Sequence, residues 1–131
     1  MVSEKIKEII CKDAPAAIGP YSQAVRAGNL VFISGQIPID PTTGEVIRGG
    51  IREQTAKVLR NIERILVSQG AGLENVVKCG VFLKDIGDYA AMNEVYSLTF
   101  TGNVKPARYV VQVSGLPKNA MIEISCDAVI G

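Results

Sequence analysis

The 131-residue chain contains no histidine and only three cysteines. Histidine is the commonest general base and metal ligand, so its absence argues against a zinc site and against a Ser-His-Asp triad. The cysteines, Cys11, Cys79 and Cys126, are odd in number and lack CxxC spacing, which is typical of reduced cytosolic thiols. Cys79 and Cys126 alternate with apolar residues, and we expect them to be small core side chains. We predict neither a metal nor a cofactor.

An excess of charge of either sign is also lacking, because 14 basic residues balance 13 acidic ones to a net charge of +1. No window concentrates Lys and Arg into a run that a phosphate backbone would attract, so nucleic acid is not an expected partner. No apolar stretch approaches the roughly 20 residues that span a bilayer, and residues 1–10 interleave charged with apolar residues. We therefore expect one soluble cytoplasmic domain over residues 1–131, without a membrane partner.

The periodicity of the apolar residues predicts two helices and six strands. One amphipathic helix is expected over residues 51–69, and a second over residues 88–100, with Asp88 as its N-cap. The second helix has an apolar stripe made of Tyr89, Met92, Tyr96 and Phe100. The strands are expected over residues 5–10, 21–27, 30–34, 76–84, 108–113 and 121–130. This order predicts an α+β two-layer sandwich, a mixed six-stranded sheet with two helices on one face.

Two helices leave the other face of such a sheet uncovered. Phe82, Val110 and Met121 are apolar residues that we expect on faces that are not plainly polar. An uncovered apolar sheet face usually marks an oligomer interface. The sequence therefore predicts a homo-oligomer.

Arg108 is the one charged side chain at the start of a segment rich in β-branched and aromatic residues, Ala107-Arg108-Tyr109-Val110-Val111. Pro106 precedes the strand and places Arg108 at its rim. A guanidinium matches a carboxylate with two parallel hydrogen bonds, which favours a carboxylate-binding site. The alternative is a structural ion pair with one of the acidic residues.

Glu123 is the carboxylate that we nominate as a proton carrier. Alternation in the last predicted strand puts Glu123 on its mixed face and the apolar residues from Ile122 to Ile130 on the other. We expect Arg108 and Glu123 to lie on the same side of neighbouring strands, facing a groove between subunits. The alternative for Glu123 is a structural salt bridge to Arg108 or to a lysine.

Three weaker signals accompany these two residues. Tyr21 follows Gly19-Pro20, where it is either an ordinary turn residue or a hydrogen-bond donor to a ligand. Gly35, between Ser34 and Gln36, either permits a ligand to approach bare backbone or marks a bulge. Asn93 lies beside the apolar stripe of the second helix and either orients a neighbour or fills a packing gap.

Four segments, taken in order, resemble the RidA (YjgF) family of reactive-intermediate deaminases. They are Ala-Ala-Ile-Gly-Pro-Tyr-Ser-Gln-Ala at 16–24, Ile-Ser-Gly-Gln-Ile-Pro at 33–38, Val-Phe-Leu-Lys-Asp at 81–85 and Pro-Ala-Arg at 106–108. The match runs over nearly the whole chain, and the combination is far more specific than any one piece. The resemblance implies a chorismate-mutase-like fold, a homotrimer, and sites in the clefts between subunits.

The activity that the resemblance implies is that of a 2-iminobutanoate/2-iminopropanoate deaminase. Such enzymes hydrolyse 2-aminoacrylate, 2-iminopropanoate and 2-iminobutanoate, which pyridoxal-phosphate dehydratases release, to 2-oxo acids and ammonia. By position, Arg108 matches the family's carboxylate-binding arginine and Glu123 its acidic residue near the attacking water. Tyr21, Ser34, Gly35 and Asn93 fall on positions that line the family's pocket.

One position departs from the family's pattern. Many members carry cysteine two residues after the arginine, whereas this chain has Val110. In the family the backbone carbonyl at this position can hold the water, and valine retains that carbonyl. Three alternatives to the deaminase stay open: a non-catalytic module that binds 2-oxo acids or related metabolites, a chaperone-like role, and a translation-inhibiting ribonuclease.

Overall fold

A computed structural model describes residues 5–131 and confirms the α+β architecture, a mixed six-stranded sheet with two helices. The strands are β1 Ile6–Ile9, β2 Ala24–Ala27, β3 Leu30–Gln36, β4 Val76–Leu83, β5 Ala107–Gln112 and β6 Ile122–Val129. The helices are α1 Ile51–Val67 and α2 Tyr89–Thr99. Predicted and observed bounds differ by a few residues at most. Helix α1 ends early because Gly70, at φ 72°, turns the chain so that the Ala71 N–H donates to the Leu66 carbonyl.

The strand order across the sheet is β1-β2-β3-β6-β4-β5. The β4–β5 pair is parallel, and the other neighbours are antiparallel. Strand β5 is therefore an edge strand, and β4 separates it from β6. This order decides where the candidate functional residues lie.

The core lies between the helices and one face of the sheet. Strand β6 alternates as predicted, because Ile122, Ile124 and Cys126 are buried and the residues between them are only half-buried. The Cys79 and Cys126 side chains are 0% and 2% exposed, which confirms that they are core side chains. Helix α1 adds its own fully buried residues, among them Ile62, Ile65 and Leu66.

The opposite face of the sheet, which we call the open face, carries large apolar side chains that no helix covers. Five residues of this kind are 40–44% exposed: Leu30, Phe32, Tyr109, Val111 and Val129. The rings of Phe82 and Tyr109 meet edge to face at 5.9 Å. Phe82 lies on this face as predicted, whereas Val110 and Met121 pack against the core. Within residues 5–131 no helix is long and apolar enough to cross a membrane.

Candidate functional site

Arg108 lies at the beginning of β5 and is held by two neutral side chains of α2. Its Nη1 donates to Asn93 Oδ1 at 2.6 Å, and its Nη2 donates to the Tyr89 hydroxyl oxygen at 3.0 Å. Its guanidinium carbon lies 4.7 Å from the ring centre of Tyr96. No acidic residue within 5–131 forms a salt bridge with it. The described part of the chain thus fixes the guanidinium in place without neutralising its charge.

We call Tyr89, Asn93, Tyr96 and Arg108 the arginine half-site. Three of these residues, Asn93, Tyr96 and Arg108, line a groove of about 630 Å³ together with Lys105. The groove exposes positive charge, because its one carboxylate, Glu94, is paired with Arg52 at 2.9 Å. An anion is the ligand that this groove favours.

Beneath Arg108, the Tyr96 hydroxyl and the Cys79 thiol are neutral. Burial raises the pKa of the Tyr96 phenol and also raises the pKa of the Cys79 thiol. Burial likewise raises the pKa of Cys126, opposite Cys79 in the sheet. Neither thiol is set up as a nucleophile, which agrees with the sequence interpretation.

A second group of predicted residues lines a separate cavity of about 540 Å³. This group, which we call the glutamate half-site, consists of Tyr21, Ser34, Gly35 and Glu123. Apolar residues supply much of the remaining wall: Pro15, Ala16, Ala17, Ile18, Ile37, Ile39 and Pro117. The Ser34 hydroxyl donates to the Ser22 carbonyl at 2.6 Å, which fixes its side chain. The cavity combines one carboxyl group with a largely apolar wall, as small-molecule sites do.

Gly35 allows the Glu123 carboxyl to lie directly against the backbone of β3. The pairing of β3 with β6 shifts register between Ile33 and Gln36, which agrees with the bulge given as one alternative for Gly35. A Cβ atom at position 35 would overlap Glu123 Oε2 and would lie 2.8 Å from its Cδ. Any larger residue would have to displace the carboxyl group.

Glu123 is half-buried on the open face. Desolvation raises its pKa above the usual glutamate range. It makes no salt bridge within residues 5–131, so the predicted bridge to Arg108 or to a lysine is not found there. A carboxyl group with a raised pKa and no charged partner suits a group that must take up and release a proton.

The expectation that Arg108 and Glu123 share one side of neighbouring strands is wrong. Arg108 pairs with Cys79 on the helix-covered face, whereas Glu123 pairs with Phe82 on the open face. Strand β4 lies between their strands. The two residues are separated by two inter-strand spacings across the sheet and by three residues along β4, so their Cα atoms are about 14 Å apart. Their side chains leave opposite faces of the sheet. One chain does not bring the two half-sites together.

Val110 lies on the edge strand, two residues after Arg108. Its side chain packs against the core. The Val113 N–H donates to the Leu83 carbonyl of β4, and backbone groups alternate sides along a strand. The carbonyls of Arg108 and Val110 therefore point away from β4, toward the free edge. The Val110 carbonyl is placed where it can accept a hydrogen bond from outside the sheet.

Three supporting residues were missed at the sequence level. Tyr89 and Tyr96 were assigned to the apolar stripe of α2, but with Asn93 they follow i, i+4, i+7 spacing, which would have placed all three on one helix face. Gln23 is buried. Its Oε1 accepts a hydrogen bond from the Cys11 N–H at 2.7 Å, and its Nε2 donates to the Pro15 carbonyl at 2.7 Å. It thereby fixes the loop that forms one wall of the glutamate half-site. Among residues 5–131, no three His, Cys, Asp or Glu side chains converge to hold a metal ion.

The chain is similar to known proteins along nearly its whole length. Residues 11–130 match the family model described as endoribonuclease L-PSP. A RutC family protein of Pyrococcus abyssi is 55% identical over 123 residues, which are 93% of this chain and 96% of that protein. The 2-iminobutanoate/2-iminopropanoate deaminase of Rattus norvegicus is 46% identical over 125 residues, 95% of this chain and 90% of that protein. The crystal structure of E. coli TdcF with bound serine has a TM-score of 0.89 at 41% identity, covering 95% of this chain and 99% of that one.

Proposed function

The chain belongs to the RidA (YjgF) family, whose model is described as endoribonuclease L-PSP, and on that premise we propose that it hydrolyses 2-imino acids to 2-oxo acids and ammonia. The observation that carries the proposal is Arg108, fixed by two neutral acceptors and left with its charge. A 2-imino acid supplies the carboxylate that this guanidinium requires. The rat relative, named for this reaction, supports the choice of substrates, 2-iminopropanoate and 2-iminobutanoate.

The active site in this proposal forms between two copies of the chain in a homotrimer. The two half-sites lie on opposite faces of the sheet, so neither copy alone can present Arg108 and Glu123 to one small substrate. The open face offers the surface for contact, since its large apolar side chains, Phe32, Tyr109 and Val111 among them, are uncovered. Each subunit would give its arginine half-site to one neighbour and its glutamate half-site to another.

The chemistry needs little beyond orientation. Arg108 binds the carboxylate, while Tyr21 and the backbone at Gly35 shape the other side of the pocket. Glu123 and the Val110 carbonyl of the facing subunit align a water molecule. The water oxygen bonds to the carbon of the protonated imine as Glu123 takes one water proton, which gives a carbinolamine. Glu123 then returns that proton to the amine nitrogen. As the C–N bond breaks, the C=O bond forms, Glu123 takes the hydroxyl proton, and ammonia leaves behind a 2-oxo acid. The enamine 2-aminoacrylate first becomes 2-iminopropanoate when a proton adds to its methylene carbon.

The test generates the imine in place, with a pyridoxal-phosphate threonine dehydratase acting on threonine. We expect the protein to accelerate 2-oxobutanoate formation beyond the rate set by spontaneous hydrolysis. The amount of dehydratase must be high enough that imine hydrolysis limits the rate. If the assembled protein gives no acceleration under these conditions, the deaminase proposal fails.

Cytoplasmic dehydratases of this type are the partners that the proposal implies.

A ligand-binding module is the second candidate, favoured by one observation. The structurally similar TdcF holds bound serine, which carries a carboxylate next to a nitrogen. A module of this kind would bind 2-oxobutanoate through Arg108 without turnover, which calorimetry together with the coupled assay would reveal. The net charge of +1 gives no comparable support to a ribonuclease.

Glu123→Gln should lower kcat on the order of 100-fold, because the amide cannot accept the proton of the water. Glu123 acts as the ionised base, so wild-type activity should fall as the pH decreases through the raised pKa of this carboxyl. The midpoint of the acid limb of the wild-type pH–rate profile should therefore lie at a pH above the ordinary range of glutamate pKa values. The Glu123→Gln variant should lack this limb. An unchanged profile in Glu123→Gln would show that another group is the base.

The same raised pKa predicts a change in stability. A carboxyl whose folded pKa lies above its unfolded value favours folding only while it is protonated, and this contribution is lost as the pH rises through the folded pKa. Glu123→Gln removes that loss, so its melting temperature should exceed that of the wild type at pH 8 but not at pH 4. Melting curves at the two pH values check this sign.

Gly35→Ala should lower kcat about tenfold while the fold persists, because its Cβ would displace the Glu123 carboxyl. Gly115→Ala is the matched control, since a Cβ at position 115 meets no atom within 4 Å and the φ there is not positive. Both variants should melt cooperatively, and only the first should lose activity in the coupled assay. Equal activities would show that the position of Glu123 against Gly35 does not matter.

A further inference from the structure

We infer that the Tyr89 hydroxyl is a second recognition group for the ligand carboxylate, beside Arg108. Tyr89 is the first residue of α2, and its hydroxyl oxygen lies 3.0 Å from Arg108 Nη2. The residue is 40% exposed, and its hydroxyl lies beside Arg108, which lines the groove. The inference rests on the proposed function, in which Arg108 binds a carboxylate, and it adds a residue that the sequence interpretation placed in an apolar stripe.

The direction of the hydrogen bond is the first step. A guanidinium can only donate, so in the Arg108–Tyr89 contact the phenol oxygen is the acceptor. The phenol's own proton is not used in that contact, and it has no acceptor among the described residues. The same holds for Asn93. Its Oδ1 accepts from Arg108 Nη1, and its amide N–H groups have no acceptor among the described residues. The unused polar hydrogens of Tyr89 and Asn93 therefore lie beside the guanidinium, where they can donate to an anion.

The geometry around the guanidinium is the second step. Each of the Arg108 Nη atoms carries two N–H groups, and Tyr89 and Asn93 occupy one on each. The Tyr96 ring, 4.7 Å from the guanidinium carbon, lies against one face of the fork. The Tyr89 ring centre lies 5.6 Å from the same carbon. A carboxylate that hydrogen-bonds the guanidinium approaches in its plane, at a remaining N–H. An oxygen bound at the free Nη2 N–H comes next to the Tyr89 hydroxyl, which can donate to it.

Tyr89→Phe removes this hydroxyl and keeps the ring. We expect the dissociation constant for 2-oxobutanoate, measured by calorimetry on the assembled protein, to rise about tenfold, as for a lost hydrogen bond to a charged group. In the coupled assay KM should rise by a similar factor while kcat stays within about twofold, because the contact is made before and during reaction alike. Thr99→Val is the control. It removes a hydroxyl from the same helix, one that donates to the Val95 carbonyl at 3.0 Å and does not line the groove, and it should bind 2-oxobutanoate as the wild type does.

Crystal structures of wild type and Tyr89→Phe with 2-oxobutanoate separate direct contact from positioning. The inference expects the Tyr89 oxygen within hydrogen-bond distance of a carboxylate oxygen, and expects Arg108 of the variant to remain on Asn93. It is overturned if the variant binds as tightly as the wild type, or if its weaker binding comes with a displaced Arg108. A wild type that binds 2-oxobutanoate without accelerating imine hydrolysis refutes the deaminase but leaves the Tyr89 inference testable by the same binding measurements. A wild type that binds no 2-oxobutanoate overturns both.

Discussion

Replacing Arg108 by alanine is expected to lower kcat/KM for imine hydrolysis by about a thousandfold, the largest effect of any single substitution in this chain. The variant loses the charge that binds the carboxylate and the fixed plane that orients the imine carbon toward water. Its remaining half-site, Tyr89 and Asn93, offers only neutral donors. The coupled dehydratase assay measures the loss.

Two further variants test why Arg108 matters. Arg108→Lys keeps a positive charge, but its ammonium cannot hold Asn93 and Tyr89 and also meet a carboxylate with two parallel bonds, so about a tenfold to hundredfold loss should remain. Full activity in Arg108→Lys would refute the bidentate contact. Arg60→Ala is the control, because Arg60 is an exposed arginine of α1 that pairs with Glu63 at 3.2 Å and lies outside both half-sites. It should retain wild-type activity.

The fold could be predicted from the sequence because its patterns are strong and local. Strict alternation in β6 and the long amphipathic pattern of α1 each identify an element without knowledge of its neighbours. The ends of elements depend on contacts from elsewhere in the chain. The predicted strand over residues 21–27 begins only at Ala24, and the side chain of Gln23 just before it holds the loop at Cys11 and Pro15.

The relation between Arg108 and Glu123 could not be predicted in the same way. Alternation states which residues of one strand share a face, but it does not relate the faces of different strands. That relation depends on register, and only the pairing of both strands with β4 shows that the two side chains leave opposite faces. The resemblance to the RidA family pointed to both residues. The structure adds that the two belong to separate half-sites.

Tyr89 illustrates a different limit. A tyrosine in the apolar stripe of an amphipathic helix usually contributes its ring to the core, and the sequence alone does not show which group its hydroxyl contacts. Tyr96 follows that expectation at 8% exposure, whereas Tyr89 at 40% exposure does not. The difference arises because Tyr89 is the first residue of α2, and its hydroxyl accepts from Arg108 Nη2 instead of lying in the core.

Assembling Arg108→Ala and Glu123→Gln copies into mixed trimers should restore much of the activity that each variant loses alone. Arg108→Ala retains an intact glutamate half-site, and Glu123→Gln retains an intact arginine half-site. If each active site joins the two half-sites of different copies, a mixed trimer contains some sites in which both are wild type. A cyclic trimer that contains both variants joins the two intact half-sites at one of its interfaces, so about a third of the sites in purified mixed trimers should be active.

The two variants, carrying different affinity tags, are unfolded together, refolded and purified through both tags in turn, and native mass spectrometry confirms mixed trimers. The coupled assay should then give activity far above that of either variant refolded alone. Variants that are refolded separately and then combined are the control, because copies that do not exchange cannot complement each other. Mixed trimers without recovered activity would mean that one chain supplies both groups to its own site. That result would contradict the placement of Arg108 and Glu123 on opposite faces of the sheet, because a single copy would then need to bring them to the same imine.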